Sequence, residues 1–298
     1  MTAKVLHLIL FFCATTALAG DWTAVAPGVD YQEFVEDKID VHVVRVDVSN
    51  DHIMVISTRQ SEKGLKVSDY AKKNSALVAV NGDYFDDKFN PIGLVIGPCG
   101  QWPGTRDTGR EGVLAAGTHR VEVRTQSEVM DPPEPWVETA VSGWPLLIRN
   151  CVPLSATTLP GSDAFTRAPH ARTAAGVSKD GKTLYLVVAD GGRANAPGFT
   201  LAELAAFMSS RLDARWALNL DGGGSSAMWV GDHIVNRPSD GVERRVGDHL
   251  AVILKTDYTG CDAPMTGTTT TKATAQPRAG SAVAVRGTER QVAIHAAH

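Results

Sequence analysis

The chain has 298 residues, 43% hydrophobic and 21% charged, with a formal net charge of −4. That length fits one large domain or two small ones, and the acidic balance argues against a nucleic-acid partner, which would require a strongly basic face. It does not exclude an acidic small-molecule substrate, because a few local arginines bind phosphate whatever the net charge.

At the N-terminus, Lys4 precedes an apolar run from Val5 to Phe12, and Ala17-Leu18-Ala19 supplies small residues where a signal peptidase reads them. Residues 1–19 are therefore expected to form a secretory signal, cleaved after Ala19, and the protein to be secreted or periplasmic. The run is too short for an ordinary membrane anchor, and no later segment stays apolar long enough to span a bilayer. Cys13 lies within this leader. The remaining Cys99, Cys151 and Cys261 allow at most one internal disulfide, and their spacing matches no zinc pattern and does not single out a pair.

Val41–Val48 and Ile53–Ser57 read as strands, Val67–Lys73 as a short helix, and Ser75–Val80 as a buried strand leading into "NGDYFDDKFNPIGLVIG". Residues 101–140 are rich in Gly, Pro and charge, which predicts loops and hairpins with short strands such as Arg120–Arg124. Val141–Ile148 returns to apolar character. Thr183–Val188 is a β-rich run. It is followed by a glycine loop and by Thr200-Leu201-Ala202-Glu203, a capping box that predicts a helix to about Leu212. Leu201, Leu204, Ala205 and Met208 fall on one face of it. Arg215–Leu220 is the next strand and His249–Leu254 the last. Strand, helix and strand at this spacing predict a βαβ unit and a partly parallel sheet. The expected fold is α/β (α+β): a single domain over residues 20–262, with a mixed sheet and helices packed on it. From 263 to 298 the Thr-, Ala- and Gly-rich composition predicts a disordered tail.

Three strands share an ending. "SALVAVNGD", "TLYLVVADGG" and "WALNLDGGG" each run apolar and stop at an aspartate beside glycine: Asp83, Asp190 and Asp221. Asp-Gly alone makes a good turn. Three together point to a crevice at strand ends, where such sheets bind ligands. Gly222, Gly223 and Gly224 can form an amide nest for an anion, with Ser225 and Ser226 adding hydroxyls. Arg172, Arg193 and Arg244 are candidate anion partners, because a guanidinium binds phosphate through paired hydrogen bonds. Arg245 reads as a surface cation. His170 and His249 lie in no ligand spacing and read as structural. Tyr84, Phe85, Trp144 and Trp229 could stack on a sugar ring or pack the core. A calcium site from Asp83, Asp86 and Asp87 is conceivable, but no cofactor is firmly implied.

These residues have a familiar order. "VNGDYFD", "ARTAAGVSKDGKTLYLVVADGG", "GFTLAELA", "ALNLDGGGSSAMW" and "NRPSDGVERRVGDHLAVIL" resemble the phosphodiester glycosidase family over roughly Val41 to Leu254. The resemblance implies a secreted hydrolase that cleaves the C1–O bond of sugar-1-phosphodiesters of the N-acetylglucosamine-1-phosphodiester type, possible substrates including wall or capsule polymers. It implies a site built from Asn81, Arg172, Asp190, Asp221 with its glycines, Ser225 and Arg244. The chain departs from the family pattern in having Asp83 where members often carry glycine, and Asp248 where asparagine is expected. On chemical grounds Asp221 is the first choice for the working carboxylate, Asp190 the second and Asp83 the third. Two other readings remain at this stage. One is a serine hydrolase using Ser225 or Ser226, although Gly223-Gly224-Ser225-Ser226-Ala227 departs from G-x-S-x-G and runs into a β-like segment. The other is a non-catalytic module that binds phosphosugar polymer.

Overall fold

The computed structural model describes residues 21–109, 112–125 and 127–261. The expected leader over 1–19 and the tail over 263–298 lie outside the described residues. The described part contains three sheets. The largest has eight strands, in the spatial order Thr23–Ala26, Val29–Glu36, Ile39–Asp47, Thr183–Ala189, Arg172–Ser178, Ala214–Asn219, Leu146–Arg149 and Val152–Pro153. The second has five, in the order Gly100–Gln101, Val95–Gly97, Thr139–Gly143, Gly112–Gly117 and Arg120–Arg124. The third runs His233–Ile234, Met228–Val230, Val78–Asn81, His249–Leu254 and Ile53–Ser57.

Alternation along the strands explains how the sheets meet. In Thr183–Ala189, Leu184, Leu186 and Val188 enter a central core, while Val187 and Ala189 enter a second cluster on the opposite face. Period-two side chains must do this whenever both faces of a sheet are covered. The central core takes Val44, Val46, Ala175 and Leu218 from the first sheet. It takes Leu114, Val121 and Val141 from the second, and Val78, Val80, Leu250 and Val252 from the third. The helix Leu201–Leu212 covers the outer face of the large sheet through Leu201, Leu204, Ala205 and Met208, the face expected from the sequence. The helix Val67–Lys73 covers the outer face of the third sheet through Val67, Tyr70 and Ala71.

The α+β reading holds, in a fold that is mostly sheet. The expected parallel ladder is replaced by a different arrangement. Thr183–Ala189 and Ala214–Asn219, joined by the helix, do run in the same direction, but Arg172–Ser178 lies between them and pairs antiparallel with both. The interposed strand comes from earlier in the chain, which no local spacing reveals. The Val141–Ile148 stretch is likewise two strands, Thr139–Gly143 and Leu146–Arg149, parted at Trp144-Pro145. The proline has no amide to continue a ladder. Cys99 and Cys261 form the disulfide, across 162 residues, and Cys151 is a free, exposed thiol.

The Thr200 hydroxyl accepts from the Glu203 amide, and the Glu203 carboxylate accepts from the Thr200 amide at 2.8 Å, completing the capping box. Replacing Thr200 with Ala is expected to cost about 1 kcal/mol of unfolding free energy. Replacing Leu204, wholly buried beneath the same helix, with Ala is expected to cost about 2–5 kcal/mol. Urea unfolding monitored by circular dichroism checks both.

Candidate active site

The three strand ends meet unequally. The register pairs Ala174 with Asn219, so the start of the Arg172 strand lies beside the Asp221 turn. The Asp221 amide donates to the Gly82 carbonyl at 3.0 Å, and the Gly223 amide to the Ala171 carbonyl at 2.8 Å. The third sheet thereby reaches the end of the first. Asn81, fully buried, binds these pieces together. Its Nδ2 donates to the Asp221 carbonyl at 2.6 Å. Its Oδ1 accepts from Thr173 Oγ1 at 2.8 Å and from the Ala227 amide at 3.3 Å. Every polar atom of Asn81 is thus spent on holding the turn, which makes it a brace for Asp221.

The turn itself is not a free amide nest. The Gly222 amide donates to Asp221 Oδ1 at 2.8 Å, and the Ser225 and Ser226 amides donate to the Gly222 and Gly223 carbonyls. With the Gly223 amide also engaged, two of the three glycine amides bond within the fold, and the glycines also permit close approach. Gly223 has φ +58°, a conformation that strains other residues. A Cβ on Gly224 would collide with the Arg244 guanidinium and the Asp240 carboxylate. Arg244 contacts Asp240 through Nε and Nη2 at 3.0 and 2.8 Å, and its charge also reaches Asp221.

Arg172 is the most consequential side chain here. It is 3% exposed, and its Nε and Nη2 donate to the carbonyls of Phe199, Phe165 and Ala168 at 2.8–3.0 Å. Burial lowers its pKa to about 10, and among the described residues no carboxylate forms a salt bridge with it. A buried cation without a counter-ion is costly and ready to receive an anion. Asp221 shows the opposite effect. Burial raises its carboxyl to about 6, opposed by Ser225, the Gly222 amide and Arg244. The buried Ser225 hydroxyl lies beside the Asp221 carboxylate, whose charged form it favours, but is not aligned for a regular hydrogen bond, whereas the Ser226 hydroxyl accepts from Thr173 at 3.1 Å.

Asp190 is fully buried and already paired: Oδ2 with Arg193 Nη2 at 2.7 Å, Oδ1 with the Arg237 amide at 2.9 Å. Asp83 accepts from the Tyr84 and Gly93 amides at 2.8 and 2.7 Å. Asp86 accepts from the Lys88 and Asn90 amides and from Asn90 Nδ2, so it caps its own loop. No group of three metal-ligating side chains occurs among the described residues.

One wall of the site is aromatic. Tyr84 donates to the Trp144 carbonyl at 2.8 Å and accepts from Asn219 Nδ2 at 2.7 Å. Burial and the Asp221 charge hold its hydroxyl well above the ordinary tyrosine range. Phe165 stacks on Trp144 at 5.2 Å and sits 5.6 Å from the Arg172 guanidinium. Phe165 carried no motif; its only local signal was Ser162, whose side chain caps the short helix Asp163–Thr166. Of the other aromatics, Trp229 is core, donating to the Ala76 carbonyl, and Phe85 stacks on Phe89. His249 is buried against Thr58 and Tyr70, a structural place as expected. Among the described residues no helix is long and apolar enough to cross a membrane.

The profile of the phosphodiester glycosidase family matches residues 74–253, which span the Asn81, Arg172, Asp190, Asp221 and Arg244 segments together. The chain belongs to that family. A mouse relative, N-acetylglucosamine-1-phosphodiester alpha-N-acetylglucosaminidase, is 31% identical over 187 residues, covering 58% of this chain and 35% of the relative. The cattle protein of the same name is 29% identical over 193 residues, covering 60% of this chain and 36% of its own. The chain thus spans about a third of the length of the curated relatives it matches. Two solved structures share the fold of this phosphodiester glycosidase. The zebrafish catalytic domain of that name, described as auto-inhibited by its pro-peptide, has TM-score 0.59 at 20% identity, covering 78% of this chain and 86% of that one. A hypothetical protein from Synechocystis has TM-score 0.57 at 17% identity, covering 77% and 62%.

Replacing Asn81 with Ala strips three hydrogen bonds from the buried junction and leaves the Ala227 amide and the Asp221 carbonyl unmatched. The expected loss is roughly 3 kcal/mol, measured by chemical denaturation of the whole chain.

Proposed function

We propose that this phosphodiester glycosidase hydrolyses the C1–O bond of sugar-1-phosphodiesters, of which N-acetylglucosamine-1-phosphodiesters are the first to test. The observation that carries this is that the buried Arg172 cation and the half-buried Asp221 carboxyl border the same turn: a Cβ on Gly222 would lie 3.9 Å from Arg172 Cδ, the Gly223 amide bonds to the Ala171 carbonyl, and both charges act on Tyr84. The mouse and zebrafish relatives carry the name of that activity.

In this reading the departing phosphate is met by Arg172 Nη1 and by Arg244, not by the Gly222 and Gly223 amides. A phosphate leaves far more readily than an alcohol, so positive charge on it matters more than a general acid. Asp221 works at the sugar end. Water attacks C1, its proton passes to the Asp221 carboxylate, the C1–O bond breaks, and the electron pair goes to the phosphate oxygen. The Tyr84, Trp144 and Phe165 wall lies against the sugar. Asp190, paired with Arg193 and the Arg237 amide, holds the arginine loop. Asp83 braces the 81–93 loop. A serine mechanism has less support, because no histidine or lysine hydrogen-bonds Ser225 or Ser226 among the described residues: Ser225 adjoins only the Asp221 carboxylate and Ser226 is bound to Thr173. The protein acts outside the cytoplasm, on the strength of the expected leader, and wall or capsule polymers are candidate substrates.

Asp221→Asn is expected to lower kcat on an aryl or alkyl N-acetylglucosamine-1-phosphodiester by ~10²–10⁴-fold, read by release of free sugar. Arg172→Lys, which keeps the charge but loses the planar fork, is expected to raise KM more than it lowers kcat. The Asp221 carboxylate is needed ionised, so the wild-type rate should fall as pH drops through about 6. No sugar release across a panel of sugars would refute the activity. Binding without turnover would favour a phosphosugar-binding module, and labelling by an active-serine phosphonate would favour the serine reading.

A further inference from the structure

A fourth carboxyl lies beneath the site. Asp248 is wholly buried at the start of the strand His249–Leu254. Its Oδ1 accepts from the Asp83 amide at 2.8 Å, and its backbone carbonyl accepts from the Gly82 amide at 2.9 Å. Its Oδ2 is buried with no hydrogen-bond partner. The carboxyl lies flat over Gly82, where a Cβ would come within 2.6 Å of Oδ2. The Gly82 carbonyl in turn accepts from the Asp221 amide, so Asp248 and Asp221 clamp the same residue from two sides.

We infer that Asp248 is a positioning residue carried as the neutral acid. In that state Asp248 adds no negative charge beneath Asp221, and when Asp248 ionises the site loses affinity for its anionic substrate. The inference rests on the reading of Asp221 as the working carboxylate.

The surroundings favour the neutral form. Asp221 faces Asp248 from the glycine turn and Tyr70 from the helix Val67–Lys73, and Asp83 meets it through its amide. His249, its chain neighbour, is kept neutral by burial, its pKa pushed down to about 3. No cation is among the groups acting on Asp248. Burial, with the charge of Asp221 adding to it and the Asp83 amide opposing, raises the carboxyl to about 7. A carboxylate with one orphaned oxygen in such a place pays the desolvation of a charge uncompensated, whereas an acid or an amide pays only the smaller cost of an unpaired neutral group.

The test compares Asp248→Asn and Asp248→Ala with the wild type, by thermal unfolding and by kcat/KM on the sugar-1-phosphodiester from pH 4 to 9. Because the folded-state pKa lies above the unfolded value of about 3.9, folding is penalised progressively as pH rises from about 4 through about 7. The Asn variant should therefore match the wild type near pH 4 and melt several degrees higher at pH 8. Wild-type kcat/KM should fall at least tenfold above pH 7, chiefly through KM, and the Asn variant should lose that alkaline limb. The Ala variant, with no acceptor for the Asp83 amide, should be slower at every pH and not reproduce the Asn profile. A melting difference independent of pH would overturn the inference, as would an alkaline limb retained in the Asn variant. If no variant, nor the wild type, turns over any substrate, the glycosidase reading fails. The melting comparison still decides whether Asp248 is held neutral.

Discussion

The site depends on one buried amide. Asn81 ties the Asp221 carbonyl, the Thr173 hydroxyl and the Ala227 amide across sequence separations of 140, 92 and 146 residues. These contacts join the third sheet to the end of the first and to the glycine turn between them. A side-chain amide suits this task because it donates and accepts at once and carries no charge. Removing it would leave the Asp221 carbonyl and the Ala227 amide unmatched. The cost of an unmade bond in such a place exceeds the net gain of an ordinary one.

Around that brace the charges are distributed unevenly. Asp190 and Arg193 neutralise one another, as do Asp240 and Arg244. Arg172 and Asp221 do not share in this pairing. Arg172 is held by carbonyl dipoles, and Asp221 by the Gly222 amide and Ser225 of its own turn with the more distant charge of Arg244. Burial pushes both toward their neutral forms. The fold accepts that cost where two central strands of the large sheet end, while the hydrophobic contacts of three sheets meeting in one core supply the stability.

Much of this was legible in the sequence. The helices Val67–Lys73 and Leu201–Leu212 and the strand His249–Leu254 follow from apolar period and from the Thr200 capping box. Those signals are local, and the tertiary structure leaves them unchanged. The recurrence of strand ends beside glycine singled out Asp83, Asp190 and Asp221, whereas Asn81 entered only through the family resemblance. The pairing that replaced the parallel ladder was not legible, because pairing order depends on which distant strand fills the gap. The partners of the glycine amides were hidden for a similar reason. Glycine content tells that amides are accessible to something, and only the folded turn reveals that those of Gly222 and Gly223 bond to Asp221 and Ala171. Phe165 was missed because its approach to Trp144 and Arg172 comes from a loop without periodicity.

By itself the sequence determined the α+β class, the residue types at the strand ends, the family and the departure at Asp248. Each is written in local pattern or in the identity of single residues. The tertiary structure decided which carboxylates are already occupied. Asp190 meets Arg193 and the Arg237 amide, Asp83 meets the Tyr84 and Gly93 amides, and Asp221 keeps only its own turn. It also decided that Arg172 forms no salt bridge among the described residues and that Asp248 lies under Asp221 with an oxygen unmatched. The physical reason is that ionisation and hydrogen bonding depend on burial and on partners far apart in the chain, which sequence spacing does not encode.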